Sequence, residues 1–255
     1  MTKQLLIYER ATPISSNHHR DVSIKFGGDF GFAKDINSAP LMAVEFEPAS
    51  VEYTIVFVGD ASGVMPAALL GVRDHENLYV DENGAWNAKY LPAFIRRYPF
   101  VFSSVDNQRF TLCLDEEFHG VNRKGQGERL FDADGEITQY LQNVFNFLQA
   151  YQAQYEATRA FVQRILDLGL LESAKAHYTL QTGQTITLGG FMTVNRARLR
   201  SLPGDDLARL ASAGDLDLVY AHLASQHNFA PTADRILRVA APVPAVAETA
   251  PAWPR

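Results

Sequence analysis

Residues 137–168 read ITQYLQNVFNFLQAYQAQYEATRAFVQRILDL, and this stretch decides the character of the second half of the chain. Apolar residues recur in it at spacings of three and four, which places them on one stripe of an α-helix. The stripe consists of Leu141, Val144, Leu148, Tyr151, Tyr155, Thr158, Val162 and Ile165. Thr138 suits the N-cap position, and Gly169 suits the position after the last turn. The sequence therefore predicts one long amphipathic helix.

Three shorter helices are indicated by local signals. Residues 205–213 and 215–226 have helical patterns and are separated by Gly214. Residues 92–98 suit a short helix, because proline is tolerated at the first helical position. Pro99 ends this helix, since the residue before a proline is biased away from helical conformation.

The first half of the chain has the pattern of strands and turns. Short runs rich in β-branched and aromatic residues alternate with turn residues, as in antiparallel sheets. The predicted strands are residues 44–46, 53–58, 65–72, 78–80, 100–103 and 110–114. The dipeptide Asn83-Gly84 is a strong hairpin signal, and residues 106–108 form the turn of another hairpin. A smaller hairpin is predicted from residues 178–180 and 185–188 in the second half.

These patterns predict an α+β fold, with an antiparallel, β-rich N-terminal half packed against a helical C-terminal half. The boundaries are residues 1–136 for the β-rich region and residues 137–230 for the helical region with its small hairpin. A chain of 255 residues suits one large domain or two closely packed ones, and we expect one integrated globule. Residues 231–255 are rich in alanine and proline and are predicted to be a disordered tail.

Composition and charge narrow the class of protein. The formal net charge is −6 and no polybasic run occurs, so no nucleic-acid partner is predicted. No window approaches the roughly 18–20 apolar residues of a membrane span. The N-terminus lacks the apolar stretch of a signal peptide, so the cytoplasm is the expected compartment. Surface association would need a non-standard export route. Cys113 is the single cysteine, which excludes an intrachain disulfide.

A carboxylate and histidine cluster is the most suggestive candidate for chemistry. Glu116 and His119 have a Glu-x-x-His spacing, which on a helix would put both side chains on one face. Together with Glu117, and with His19 as a possible general base, they are candidate catalytic residues. The alternative is a solvated acidic turn that closes a strand, together with a surface loop or a satisfied histidine at residue 19. No metal is expected, Glu116 and His119 being the candidates if one binds, and no cofactor is predicted.

Arginines flanked by aromatic residues form the second candidate site. Arg96 and Arg97 lie in the stretch YLPAFIRRYPF, residues 90–100, with Tyr90 and Tyr98 on either side. Such a stretch can clamp a carboxylate or bind a partner surface. The alternative is that one arginine pairs with an acid such as Asp115 while the other covers apolar surface.

Several segments, taken in order, resemble the SapC-like family of bacterial proteins over roughly residues 3–235. The most specific is YLPAFIRRYPF at residues 90–100. The others are LLIYE (5–9), HR (19–20), FA (32–33), NSAPL (37–41), VEF (44–46), IVF (55–57), LYVD (78–81), DE (115–116), LFDADG (130–135) and LGGF (188–191).

The resemblance implies a link to bacterial surface-layer formation, from which the family takes its name. Relatives beside TonB-dependent receptors and flavin halogenase-like proteins imply an uptake or modification system, and hence a protein or peptide partner. It implies no catalytic residues. Two functions stay open: an accessory or interaction protein that binds a protein, peptide or small ligand without chemistry, and an enzyme with a carboxylate–histidine site that could use a metal.

Overall fold

The computed structural model describes residues 7–60, 63–104, 109–179, 185–232 and 235. Within these ranges the chain forms seven α-helices and eleven strands. The helices are α1 (Ser16–His19), α2 (Phe46–Ser50), α3 (Ala93–Arg96), α4 (Gln139–Asp167), α5 (Arg196–Arg200), α6 (Gly204–Ser212) and α7 (Asp215–Ser225). The strands are β1 (Ala11–Pro13), β2 (Ser23–Ile24), β3 (Ser38–Pro40), β4 (Ile55–Asp60), β5 (Gly63–Leu69), β6 (Phe100–Ser104), β7 (Phe110–Asp115), β8 (Val121–Asn122), β9 (Glu128–Arg129), β10 (Leu171–Thr179) and β11 (Thr185–Val194). Short 3-10 helices occupy Gly31–Ala33, Ala43–Glu45 and Gln226–Asn228.

The long helix α4 follows the sequence prediction closely. The side chain of Thr138 accepts a hydrogen bond from the Leu141 backbone amide at 3.3 Å, so it caps the first turn. Gly169 follows the last turn with φ of +62°, a conformation that favours glycine. The apolar stripe is directed inward, with Leu148 and Ile165 fully buried. Burial of this stripe is what stabilises a helix of this length in the fold.

The largest sheet combines strands from both halves of the chain. Its order is β10-β11-β4-β5-β3, and every neighbouring pair is antiparallel. The β10–β11 hairpin extends from the pairing of Leu171 with Val194 to that of Thr179 with Thr185, and is therefore longer than predicted. It joins the N-terminal strands where Met192 pairs with Phe57. The fold is α+β, as predicted.

Two three-stranded antiparallel sheets complete the β structure. One has the order β1-β7-β6 and contains the predicted hairpin of residues 100–103 and 110–114, whose turn at 106–108 lies outside the described residues. The other has the order β8-β2-β9. The predicted tail, residues 231–255, also lies outside the described residues apart from 231, 232 and 235. None of the helices that can be described is long and apolar enough to cross a membrane.

The predicted strand at residues 44–46 is wrong, because this segment is helical. The carboxylate of Glu45 accepts a hydrogen bond from the Met42 backbone amide at 2.8 Å, which closes a helical turn that continues into α2. Phe46 is fully buried and meets the Phe161 ring of α4 edge-on, with centroids 5.8 Å apart. A short apolar run does not distinguish a strand from a buried helical turn. Here the cap at Glu45 and the packing of Phe46 favour the helical turn.

Candidate functional site

The stretch at residues 90–100 forms one wall of a cleft. Pro92 precedes α3, and the side chains of Phe94 and Ile95 on this helix are buried. Arg96, the last residue of the helix, is exposed. Because the helix has a single turn, burying its apolar face leaves Arg96 at the protein surface beside the chain that leads into β6.

The cleft beside Arg96 has a volume of about 400 Å³, within the usual range of small-molecule sites. Its walls come from α3 and the start of β6, from α4, and from the segment around β2. Six of its thirteen lining residues carry aromatic rings, namely Phe26, Phe30, Tyr98, Phe100, Tyr140 and Phe147. A surface with this many rings favours an apolar or aromatic occupant.

Arg96 lies at this cleft with its guanidinium over an aromatic ring. The guanidinium carbon is 5.4 Å from the centroid of the Phe147 ring, a cation–π arrangement. Asn143, one turn earlier on α4, is exposed and also lines the cleft. These side chains place positive charge and hydrogen-bond donors beside the aromatic walls.

Arg97, in contrast, is only 8% exposed and surrounded by rings. Its guanidinium carbon lies 4.5 Å from the ring centroid of Phe94, 4.9 Å from that of Tyr151 and 5.6 Å from that of Tyr8. Arg97 lines the cleft and also a second cavity of about 170 Å³, to which Tyr151 contributes. The buried charge thus joins α3 to α4 and to the N-terminal segment.

Tyr98 and Tyr90 have different surroundings. The Tyr98 ring stacks on Phe32 with centroids 4.0 Å apart, and its hydroxyl donates to the Asp115 carboxylate at 3.3 Å. The Tyr90 hydroxyl donates to Glu45 at 2.8 Å, and the same carboxylate oxygen accepts from the Ala93 amide at 2.7 Å. Of the four predicted partner-binding residues, three line the cleft, whereas Tyr90 holds the start of α3 in place.

The aromatic residues of the other walls were not predicted from the sequence. Phe26 and Phe30 lie in the segment after β2, and Tyr140 and Phe147 lie on α4 but off its apolar stripe. The sequence did contain one indication of this wall: α4 has aromatic residues outside its apolar stripe. A helix that buries a single stripe does not need such residues for its own packing.

The carboxylate and histidine candidates are divided between two places. His19, which is 1% exposed, lies with its Nε2 atom 3.2 Å from Oε1 of Glu116. Arg10 bridges Glu116 and Glu117, at 3.0 Å from each carboxylate. The exposed His119 faces Asp29 instead, at 3.9 Å. Residues 116–119 form a turn, so the Glu-x-x-His spacing does not put its two side chains on one helical face.

Across the residues that the structure describes, no three histidine, cysteine, aspartate or glutamate side chains form a group that could hold a metal ion. Cys113 is buried in β7, and its burial raises the pKa of the thiol above its ordinary value. The thiol therefore stays protonated at neutral pH, a poor state for a nucleophile.

Comparison with known proteins gives one match. The family model SapC matches residues 14–231, which is most of the chain and includes every residue that lines the cleft. The chain belongs to the SapC family. No curated protein and no solved structure matches this SapC-family chain.

The polar side chains at the cleft of the SapC-family chain all carry N–H or O–H groups. They belong to Arg96, Arg97, Tyr98, Tyr140 and Asn143. Burial raises the pKa of Tyr140 to about 12 and also raises the pKa of Tyr98, whose phenol lies beside Asp115. Both phenols therefore stay protonated at neutral pH. Arg96, Tyr140 and Asn143 can donate to acceptor groups of an occupant, whereas the Tyr98 hydroxyl already donates to Asp115.

Proposed function

We propose that this chain is a non-catalytic binding protein, an accessory component of a bacterial envelope, uptake or surface-layer-related system. The observation that carries the proposal is the 400 Å³ cleft, which combines six aromatic residues with Arg96 at its edge. Its occupant is a protein, a peptide or a small ligand bound without chemical change.

The composition of the cleft supports binding over catalysis. Burial raises the pKa of Tyr140 from 10 to about 12, which moves this phenol further from titration at physiological pH. A group that neither gains nor loses a proton near pH 7 is poorly suited to move protons in a reaction. The same groups are well suited to hold a ligand in one orientation.

The mouth of the cleft also has features of a contact surface. Phe26 is 46% exposed, and it packs beside Phe30 and Phe118. Exposed aromatic residues next to an arginine are enriched at protein interfaces. The proposed partner is a component of the same system, in the family context a TonB-dependent receptor or a flavin halogenase-like protein.

Affinity purification of the tagged full chain from its host, with mass spectrometry of co-purifying proteins and small molecules, tests this proposal. Arg96→Ala removes the exposed guanidinium and should lose a component that the unsubstituted chain retains. Arg159→Ala is the matched control, because Arg159 is an exposed arginine of α4 that pairs with Glu156, three residues away on the same helix. Recovery of identical components with both variants would show that the cleft is not the binding site.

The buried His19 and the partly exposed Glu116, which contact each other, support the alternative of an enzyme. The two contacting atoms are 3.2 Å apart, and Arg10 lies on the opposite side of the Glu116 carboxylate at 3.0 Å. A metal-dependent form of this function predicts bound metal in the purified protein and a rise in melting temperature on adding the ion. Both effects should disappear in Glu116→Gln. The metal-dependent enzyme would be rejected if the purified protein contains no metal and melts at the same temperature with and without added ions.

The cytoplasm is the proposed compartment in which this chain binds its partner. The buried Cys113 thiol fits a reducing environment, in which a lone thiol stays free. Fractionation of cells that produce the tagged chain is the check, and recovery in the surface fraction would overturn this assignment.

A further inference from the structure

The cleft offers an occupant two kinds of surface at once. The rings of Phe26, Phe30, Phe100 and Phe147 supply apolar faces and edges, and aromatic groups prefer stacked or edge-on contact with such rings. Its polar lining residues are two arginines, two tyrosines and an asparagine, and none of the carboxylates in the part of the chain that the structure describes lines it. The occupant should therefore be flat and apolar, with an acceptor group at one end.

The positive charge of the cleft wall indicates that the acceptor group of the occupant is negatively charged. Arg96 is exposed and Arg97 is buried, and both belong to the same wall. Aromatic rings alone could also attract a cation, but two guanidinium groups on the wall would repel one. A carboxylate matches the planar fork of an arginine and can accept two parallel hydrogen bonds from it.

The position of Arg96 suits this task. Its guanidinium rests over Phe147, 5.4 Å from the ring centroid, so its charge lies beside the aromatic lining of the cleft. Asn143 accepts a hydrogen bond from Gln139 Nε2 at 2.9 Å through its side-chain oxygen. The amide nitrogen of Asn143 is therefore the part of this side chain that suits an anion.

We propose that the cleft binds an aromatic carboxylate, with the ring of the ligand among the aromatic side chains and its carboxylate at Arg96. The volume of about 400 Å³ suits a small molecule of one or two fused rings. This inference rests on the proposed binding function and specifies its ligand class. The partner protein, where one exists, then meets a chain that carries or presents this ligand.

Isothermal titration calorimetry with three probes tests the ligand class on the full chain. The probes are 2-naphthoate, its neutral analogue 2-naphthamide, and the aliphatic carboxylate decanoate. We expect 2-naphthoate to bind in a one-to-one complex, and each of the other two probes to bind about 10-fold more weakly, equivalent to about 1.4 kcal/mol. Equal affinity for the naphthoate and the amide would overturn the role of charge. Tighter binding of decanoate would overturn the aromatic class.

Substitutions locate the probe. Arg96→Gln should weaken 2-naphthoate binding about 10-fold and leave 2-naphthamide unchanged, whereas Arg159→Gln should change neither. Val144→Phe adds bulk to the α4 wall and should weaken both naphthyl probes. Binding of 2-naphthoate that is insensitive to Arg96→Gln and Val144→Phe would place the ligand elsewhere and overturn the proposal.

The experiments distinguish a wrong ligand class from a wrong binding function. If the unsubstituted chain binds none of the three probes, yet Arg96→Ala loses a protein partner in affinity purification, the aromatic carboxylate is rejected and the binding function stands. If no probe binds and Arg96→Ala retains every partner, both are rejected.

Discussion

The Nε2 atom of His222 accepts a hydrogen bond from the Val194 backbone amide at 3.1 Å, which ties α7 to the end of β11. The imidazole is fully buried and lies against the Phe57 ring, with centroids 4.9 Å apart. An Nε2 atom that accepts a hydrogen bond requires the neutral ring. This hydrogen bond between helix and sheet therefore depends on the protonation state of one side chain.

Acid should weaken the fold through His222. Burial lowers its pKa from 6.5 to about 4, so the unfolded chain takes up a proton in a pH range where the folded chain does not. The His222 contribution is fully present above pH 6.5 and is lost as the pH falls through about 4. A shift of this size corresponds to about 3 kcal/mol. Denaturant unfolding between pH 7 and pH 4 measures it.

His222→Gln is the control for this effect. Glutamine keeps an acceptor for the Val194 amide and does not titrate. The loss of stability between pH 6.5 and pH 4 should be smaller in this variant, although its stability at pH 7 is reduced by altered packing. An identical loss in both proteins would show that groups other than His222 cause the acid sensitivity.

Removing Arg164 should destabilise the protein far more than removing another arginine of α4. Arg164 forms two hydrogen bonds with Asp215, at 2.6 and 2.7 Å, and the Asp215 side chain is only 2% exposed. Arg164→Ala leaves this carboxylate buried without its cation, and we expect a loss of about 2–3 kcal/mol, since Arg164 itself is half-exposed. Arg159→Ala should cost less than about 0.5 kcal/mol, because its pair with Glu156 is exposed. Urea denaturation compares the two, and equal losses would contradict the argument.

Asp115→Asn should destabilise the sheet that supports the cleft. The fully buried carboxylate accepts hydrogen bonds from the backbone amides of Glu9 at 2.8 Å and Arg10 at 3.0 Å, besides the Tyr98 hydroxyl. An amide nitrogen in place of one oxygen would face a donor, at a cost of about 3 kcal/mol. The change in melting temperature reports this loss.

Asp132→Asn is the matched control for Asp115→Asn. Asp132 is exposed, and one of its oxygens accepts from the backbone amides of Asp134 and Glu136, each at 2.9 Å. Asparagine makes the same turn, so the melting temperature should hardly change. A large drop for Asp132→Asn would show that the method does not separate buried acceptors from exposed ones.

Thr138→Ala should lower stability by about 1 kcal/mol through loss of the α4 cap. The hydroxyl accepts from the Leu141 amide and also donates to the Arg129 carbonyl at 2.6 Å. Thr138→Ser keeps both bonds and should retain most of the stability. Circular dichroism during denaturation measures both variants, and equal losses for alanine and serine would assign the effect to the methyl group instead.

Several parts of the fold that depend on neighbouring residues were predicted well, although the strand predicted at residues 78–80 is a turn with a single bridge at Val80. The ends of α4 were set by Thr138 and Gly169, and the break between α6 and α7 by Gly214, whose φ is +74°. These signals act within one or two turns of helix. The segment at Ala43–Glu45 was misassigned, because three residues are too few for a periodicity to develop.

The candidate sites were predicted only in part. Arg96, Arg97 and Tyr98 were predicted as partner-binding residues because one stretch of chain contains them all, and the structure places them along the cleft. Its opposite walls lie far away in sequence, on α4 and after β2. The same limit applies to His19 and Glu116, which are 97 residues apart and form a pair that the spacing of Glu116 and His119 did not suggest.

The sequence by itself determined the α+β class, the long helix with its cap and its apolar stripe, and the arginines between aromatic residues at the cleft. Each of these follows from residues close together along the chain, through hydrogen bonding, periodicity or backbone preference. The tertiary structure alone decided that the β10–β11 hairpin extends the N-terminal sheet, that Arg97 is buried among rings while Arg96 stays exposed, and that six aromatic residues surround one cleft. The physical reason is that burial and long-range pairing depend on how distant segments pack together, which local preferences do not specify.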